Sequence, residues 1–363
     1  MHKRPDLHPR EDDERFLRRI FLLIVVIAVA AVLILTHNLL LLAFGSLLVS
    51  LLLIVVTEFL ERRLGVPRKV GLSISTFALI GIIGALFYMF YAEIAFQGEL
   101  LSQQLPRAWA RTEATLRQGA IGRLLLDSVQ NRETVTFLTN EAQSIVKGAA
   151  VVLFNLLIVL SAAVFFAADP ERYRKGLAML SPQRYRALTD RTLGEIGTAL
   201  RLWLITQSIS MLVMGSLFTA GLWLSGVPAY VALGVLGGMA EFIPYVGPIV
   251  AMVPALLLSF AGEGSFVGVV LTYLVARIVQ ANIVTPLVTG KVVSVPPGWY
   301  IFLILGAGYV FGTFGLFFSG PLAIAVYTAW LALYSRETLG DDVLMPSEHA
   351  AEHFGDEGDV RKS

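Results

Sequence analysis

Cysteine is absent from all 363 residues, which excludes disulfides, thiolate metal sites and thiol catalysis together. Charge is scarce as well: 15% of residues are Asp, Glu, Lys or Arg, against roughly 25% in soluble domains. The deficit is concentrated. No charged side chain occurs in 20–57, 148–168 or 292–335, and between Arg201 and Arg336 only Glu241, Glu263, Arg277 and Lys291 are charged. A water-soluble domain does not tolerate so much uninterrupted apolar sequence, so a soluble enzyme is excluded. The five histidines (2, 8, 37, 349 and 353) fall in the tails or a tight turn. No Walker A loop, nucleophile elbow or GxGxxG occurs, so neither ATP hydrolysis nor a nucleotide cofactor is expected. The run His349-Ala350-Ala351-Glu352-His353 fits a zinc pattern, but it lies in an acidic tail with little chain left for a third ligand. No enzyme, metal or cofactor is therefore expected.

What is present is apolar sequence: 56% of residues are hydrophobic, with a mean hydropathy of +0.72. Crossing a ~30 Å hydrocarbon core takes roughly 20 apolar residues in a helix. Such segments lie at 20–36, 39–57, 70–96, 148–168, 202–225 and 266–284, with longer interrupted stretches at 229–260 and 299–333. The fold class is all-α: a polytopic helical membrane protein with six to eight transmembrane segments, two of them Gly/Pro-broken. The parts follow as an N-tail 1–19, spans 20–96, a loop 97–147, a span 148–168, a loop 169–201, a region 202–335 with both broken stretches, and a tail 336–363.

Loop charge sets the orientation, because Lys and Arg are retained on the cytoplasmic side. The N-tail carries six basic residues, loop 58–69 carries Arg62, Arg63, Arg68 and Lys69, and loop 169–201 carries seven. These three are read as cytoplasmic, as is the C-terminus, and loop 97–147 as external. In that loop Leu101, Leu105, Trp109, Leu116, Leu124, Leu125 and Val129 recur near helical spacing, the mark of amphipathic helices. Asp169-Pro170-Glu171 reads as a helix start. The tail from Gly340 is acidic and read as disordered. The basic residues of the N-tail are interleaved with acids and lack an aromatic platform, so no nucleic-acid partner is expected.

The stretch 229–260 would be ~48 Å long as one helix, too long for an untilted span. Its centre, Glu241-Phe242-Ile243-Pro244-Tyr245-Val246-Gly247-Pro248, cannot continue a regular helix. The second stretch breaks at Gly312-Thr313-Phe314-Gly315 and Gly320-Pro321. Paired interrupted segments, each after a simple span, are the pattern of secondary transporters. Broken backbone in a membrane must be buried in protein or line a watery cavity. Two topologies fit the charges: eight spans with both stretches crossing, or six spans with both folded as re-entrant hairpins. The hairpin form better suits the positions of Arg277 and Lys291.

The residues of these breaks resemble a known family. Glu241 through Pro248, then Thr285-Pro286-Leu287-Val288-Thr289-Gly290-Lys291, and the Gly315…Pro321 segment are similar to the signatures of the autoinducer-2 exporter (AI-2E) family of bacterial and archaeal membrane proteins. The likeness continues through Asp169 and the Arg201…Gln207 stretch. It implies a multi-pass permease of the prokaryotic cytoplasmic membrane that moves a small solute outward, or a sodium/proton antiporter, working as a homo-oligomer. This chain departs from the pattern at Thr206, where a Gly is common, at Ala281, where an acid is common, and at Val295-Pro296-Pro297, which lacks a His.

Glu241 is the sharpest site residue, since a carboxylate within a span costs about 2.5–3.5 kcal/mol and must face a cavity or a partner. It is read as a ligand for a cation, a proton or a hydroxylated solute; the alternative is a helix cap or a structural lock with Arg277. Arg277 and Gln280 share one helical face. Gln207, Asn282, Thr285 and Pro286 complete the expected pathway, with Pro244, Gly247, Pro248 and Gly315 supplying backbone geometry. Gly234…Gly238 and Gly308…Gly312 have GxxxG spacing and are read as close helix packing. The remaining alternative is a membrane scaffold that binds a partner through loop 97–147.

Overall fold

A computed structural model describes residues 20, 24, 36–89, 153–243, 246–260, 262–289, 296–340 and 344–348. The first apolar run, except residues 20, 24 and 36, lies outside these, as does loop 97–147. Among the described residues every regular element is helical. The helices are α1 (His37–Leu64), α2 (Arg68–Met89), α3 (Leu153–Ala168), α4 (Pro170–Met179), α5 (Arg186–Leu224), α6 (Tyr230–Ala240), α7 (Val246–Phe260), α8 (Phe266–Val279), α9 (Gly298–Gly312) and α10 (Phe314–Leu339). Five of them, α1, α2, α5, α8 with its extension to Val284, and α10, are long and apolar enough to cross a bilayer. The bent pair α3–α4 brings the number to six. The chain is thus a polytopic helical membrane protein.

Local chemistry explains the boundaries. α1 ends at Gly65, whose left-handed backbone (φ 65°) lets its N–H donate to the Glu61 carbonyl, with Arg62 and Arg63 in the last turn facing the dipole's negative end. Between α3 and α4 the chain bends by 93°. There the Asp169 carboxylate accepts from the Arg172 N–H at 3.3 Å and Pro170 opens α4, the start that the sequence signals. α5 has 39 residues, or ~58 Å at the α-helical rise. Its first turns hold Asp190, Arg191 and Glu195 and stand beyond any hydrocarbon layer. At its apolar start Arg201 grips Glu58 of α1, with Nη1 at 3.2 Å from Oε1 and a second bond from Nη2 to Oε2.

The first broken stretch goes in and comes back. The Ser265 N–H, just before α8, donates to the Ser225 carbonyl, just after α5, at 2.8 Å. The chain between them therefore begins and ends at one place. Neither α6 with 11 residues nor α7 with 15 reaches the ~20 needed to cross. Leu233 of α6 and Ala255 of α7 share a core with Met214, Phe218 and Leu222 of α5 and with Val269 and Tyr273 of α8. Gly238 lies so close to α5 that a Cβ there would stand 2.6 Å from the Met211 carbonyl and 2.8 Å from the Gly215 Cα. The Gly234…Gly238 spacing thus serves close backbone packing.

The second stretch is also a hairpin, but an unequal one. Gly312 (φ 63°, ψ −148°) breaks the helix. A Cβ on Gly308 would meet Leu316, and one on Gly320 would meet Trp203 and the Tyr300 hydroxyl, so α9 runs back along α10. α9 is short, whereas α10 is a full-length span. The two stretches are hence neither two plain crossings nor two matched re-entrant loops. Within the tail read as disordered, Leu344–Glu348 dock. Met345 packs with Leu331 and Ala332. The Ser347 N–H and hydroxyl donate to Glu195 at 3.2 and 2.7 Å. Glu348 accepts from Arg336 and from the Met345 N–H, both at 2.8 Å.

Two outcomes follow from this geometry. A Cβ on Gly247 would lie 1.7 Å from the Ala240 carbonyl oxygen, with no mobile side chain to yield. Gly247→Ala is expected to cost roughly 1–3 kcal/mol and lower the melting temperature in detergent, while Gly176→Ala, in open space within α4, leaves it unchanged or raises it. The Glu348 carboxyl is held below the ordinary carboxylate value of 4.5, first by the Met345 N–H and then by Arg336. A depressed folded-state pKa stabilises above the unfolded value and is lost as pH falls through the folded one. Amide protection of Met345 and Ser347, corrected for intrinsic exchange, should therefore persist at neutral pH and fall only in acid below that value, and Glu348→Gln should weaken it at neutral pH.

Candidate solute site at the helix breaks

α6 stops at Glu241, three residues before Pro244, which has no N–H with which to continue the helix. Gly247 and Pro248 are buried at the start of α7; Pro244 and Tyr245 lie outside the described residues. The turn carries Glu241 into the bundle, where only 3% of its surface is exposed. A carboxylate so placed needs charged or multiple partners, and α8 supplies them. The Arg277 Nη2 donates to Glu241 Oε2 at 2.8 Å, and the Gln280 amide donates to Oε1. Arg277 also donates to the Gln280 carbonyl oxygen, closing a three-membered ring of polar side chains. The Gln207 amide, from α5, donates at 2.7 Å to the Glu241 backbone carbonyl. It caps a helix end that would otherwise leave an unpaired acceptor.

Of the predicted site residues, Gln207, Glu241, Arg277 and Gln280 converge, while Gly247 packs on the Ala240 carbonyl and Pro248 is buried at the start of α7. Asn282 does not: it is exposed and its amide donates to the Ile278 carbonyl of its own helix at 2.9 Å. Thr285 and Pro286 lie in the wide π-type turns that continue α8 over Gln280–Thr289, with their side chains outside the described atoms. Gly315 belongs to the other hairpin, where a Cβ would stand 2.0 Å from the Ala307 carbonyl. Each break thus has a glycine seated on a carbonyl of the helix before it.

Sequence reasoning passed over the aromatic side of this site. Phe242, next to Glu241, stacks on Phe317 of α10 (centroids 4.6 Å apart, 27°) and meets Trp203 of α5 edge-on at 5.5 Å. Phe317 contacts Phe318, and Phe318 meets Phe44 of α1. Single aromatics in an apolar sequence look like ordinary lipid-facing or core residues, so no periodicity distinguished these. Arg201, in the Arg201…Gln207 stretch, pairs with Glu58 of α1.

Arg277, whose side chain is 38% exposed, still has access to the surrounding space, while Glu241 does not. The ring is able to trade internal bonds for bonds to a hydroxylated or charged solute, since it holds both donors and acceptors. Breaking one side of the pair should cost more than removing both. In a double-mutant cycle, Arg277→Met and Glu241→Gln each lower thermal stability, and their combination falls short of additivity by roughly 0.5–3 kcal/mol.

The sequence model of AI-2E family transporters matches residues 22–336. YrrI of Bacillus subtilis (strain 168), a protein named for an inferred transport role, is 25% identical over 209 residues, covering 56% of this chain and 59% of YrrI. YueF of the same organism, named likewise, is 24% identical over 204 residues, 54% of this chain and 55% of YueF. YhhT of Escherichia coli (strain K12), again so named, is 25% identical over 288 residues, 76% of this chain and 79% of YhhT. The matched region spans less than two thirds of the length of the two Bacillus relatives and nearly four fifths of YhhT. A match over most of the sequence, on a membrane bundle whose breaks carry the Glu241 ring, places this chain in the AI-2E family of transporters.

Proposed function

We propose that this chain is a secondary transporter that exports a small polar solute, such as an autoinducer-2-like signal, across the prokaryotic cytoplasmic membrane, with both termini cytoplasmic. The observation that carries this reading is the buried Glu241 at a helix break, ringed by Arg277 and Gln280 and backed by Gln207. A ring of donors and acceptors inside an apolar bundle fits a neutral or zwitterionic solute with several hydroxyls. Such a solute offers both kinds of partner, so it replaces the ring's internal bonds without leaving a charge unpaired. Recognition at a hinge of broken helices also gives binding a direct means of moving them. The reading includes assembly into a homo-oligomer and transport driven by a gradient, with no enzymatic step.

A second reading, exchange of sodium or another monovalent cation for protons, is favoured by the burial of that same carboxylate. It asks more of the site, because a cation at Glu241 has to displace Arg277. The scaffold reading rests on loop 97–147, outside the described residues.

Reconstituted vesicles separate these readings. With an inward-facing solute load, efflux of a polyhydroxylated signal should drop at least about tenfold in Glu241→Gln, the effect expected when a charge-assisted contact of ~1.5–3 kcal/mol is lost. Vesicles with an internal pH dye should show no response to external sodium, potassium or lithium. A cation-triggered pH change that Glu241→Gln abolishes would instead establish antiport. Unchanged efflux in a folded Glu241→Gln protein would remove the ring from the transport path.

A further inference from the structure

The aromatic contacts beside the ring have an arrangement that packing alone does not require. Phe242 belongs to the turn of the first hairpin and Phe317 to the second hairpin just past Gly312 and Gly315, and their rings stack at 4.6 Å. Their surroundings are firm on one side and open on the other. Trp203, 6% exposed, backs Phe242 from α5, and Phe318 is wedged against α1, where a Cβ on Gly45 would stand 2.9 Å from its ring. Phe317 itself is 42% exposed, with Phe242 and Phe318 as its aromatic partners.

The geometry points to a hydrophobic gate: the Phe242–Phe317 stack is the contact by which the two broken segments close the polar route at Glu241 against water. Two apolar rings meeting next to a charged ring of side chains form the kind of constriction that blocks permeation by excluding water. The stack joins one hairpin to the other and not two turns of one helix, so movement of either hairpin opens it. Each hairpin turns at a glycine seated on a carbonyl, Gly247 on Ala240 and Gly315 on Ala307, which fixes where the ring-bearing residues point and leaves the contact between hairpins as the separable part. The polar ring selects and the aromatic pair seals. The placement of this gate rests on the reading of Glu241 as the solute site, but its test does not need recognition at Glu241.

The absence of cysteine makes the test clean. The full chain is reconstituted as wild type, Phe317→Cys, Phe242→Ala and Glu241→Gln, and permeability to urea, a small neutral probe without hydroxyls, is read by vesicle swelling with no ion gradient. Wild type and Glu241→Gln should be tight, and Phe317→Cys and Phe242→Ala should leak severalfold faster. Treating Phe317→Cys vesicles with benzyl methanethiosulfonate joins a benzylthio group to the thiol as a mixed disulfide, releasing methanesulfinate, in the already folded protein; the leak should then close, and return when the disulfide is reduced. Vesicles of both variants as tight as wild type would overturn the gate, leaving the stack as packing. So would a Phe317→Cys leak that benzylation does not change, because that is the leak of a misfolded protein. Normal efflux by Glu241→Gln alongside a benzyl-reversible leak would reject the solute site and keep the gate.

Discussion

The structure around the breaks is organised by one requirement: a carboxylate drawn out of water has to be paired. Glu241 is placed inside the bundle because α6 ends there, and it is stable there because Arg277 and Gln280 of α8 reach both its oxygens. The first hairpin is held at its tip by this polar ring and at its base by the Ser265–Ser225 hydrogen bond. Between these two points the glycines of α6 let its backbone lie directly on α5. An apolar hairpin of two short helices has no depth preference of its own in a hydrocarbon environment; the polar contacts at each end set it.

α5 ties this assembly to the rest of the molecule. It caps the end of α6 through Gln207, grips α1 through Arg201 and Glu58, sets Trp203 edge-on against Phe242 of the hairpin turn, and anchors the returning C-terminal stretch through Glu195. Its length lets one rigid element report on every level, from the charged turns outside the hydrocarbon to the end that meets the hairpin base. α10 has a parallel role on the other side, running from the Gly312 break to Arg336, which holds Glu348. The two hairpins meet directly where Phe242 stacks on Phe317. Rigid spans with breakable contacts at their shared centre are what a device of alternating exposure requires.

Much of this was legible in the sequence. Charge-free runs fixed the class because the cost of burying charge in lipid has no remedy by folding. The positions of both breaks were legible because proline and glycine act locally, on the one or two turns around them. Glu241, Arg277 and Gln280 stood out for the same reason: polar groups in an apolar run must find partners. Asp169-Pro170-Glu171 marked a helix start that the structure contains.

Tertiary structure alone decided who those partners are and how the breaks are used. Sequence left Glu241 free to be a ligand, a cap or half of an ion pair, and only the approach of α8 to the α6–α7 turn selected pairing with Arg277. It left two topologies, and a backbone hydrogen bond between Ser225 and Ser265 made the first stretch a hairpin, while the length of α10 made the second unequal. It gave no sign that Phe242 and Phe317, far apart in the chain, would stack, nor that Leu344–Glu348 would return to α5. The reason is the same in each case. Hydropathy, helix breakers and caps are properties of a residue and its near neighbours, whereas pairing, stacking and docking depend on which elements the fold brings together.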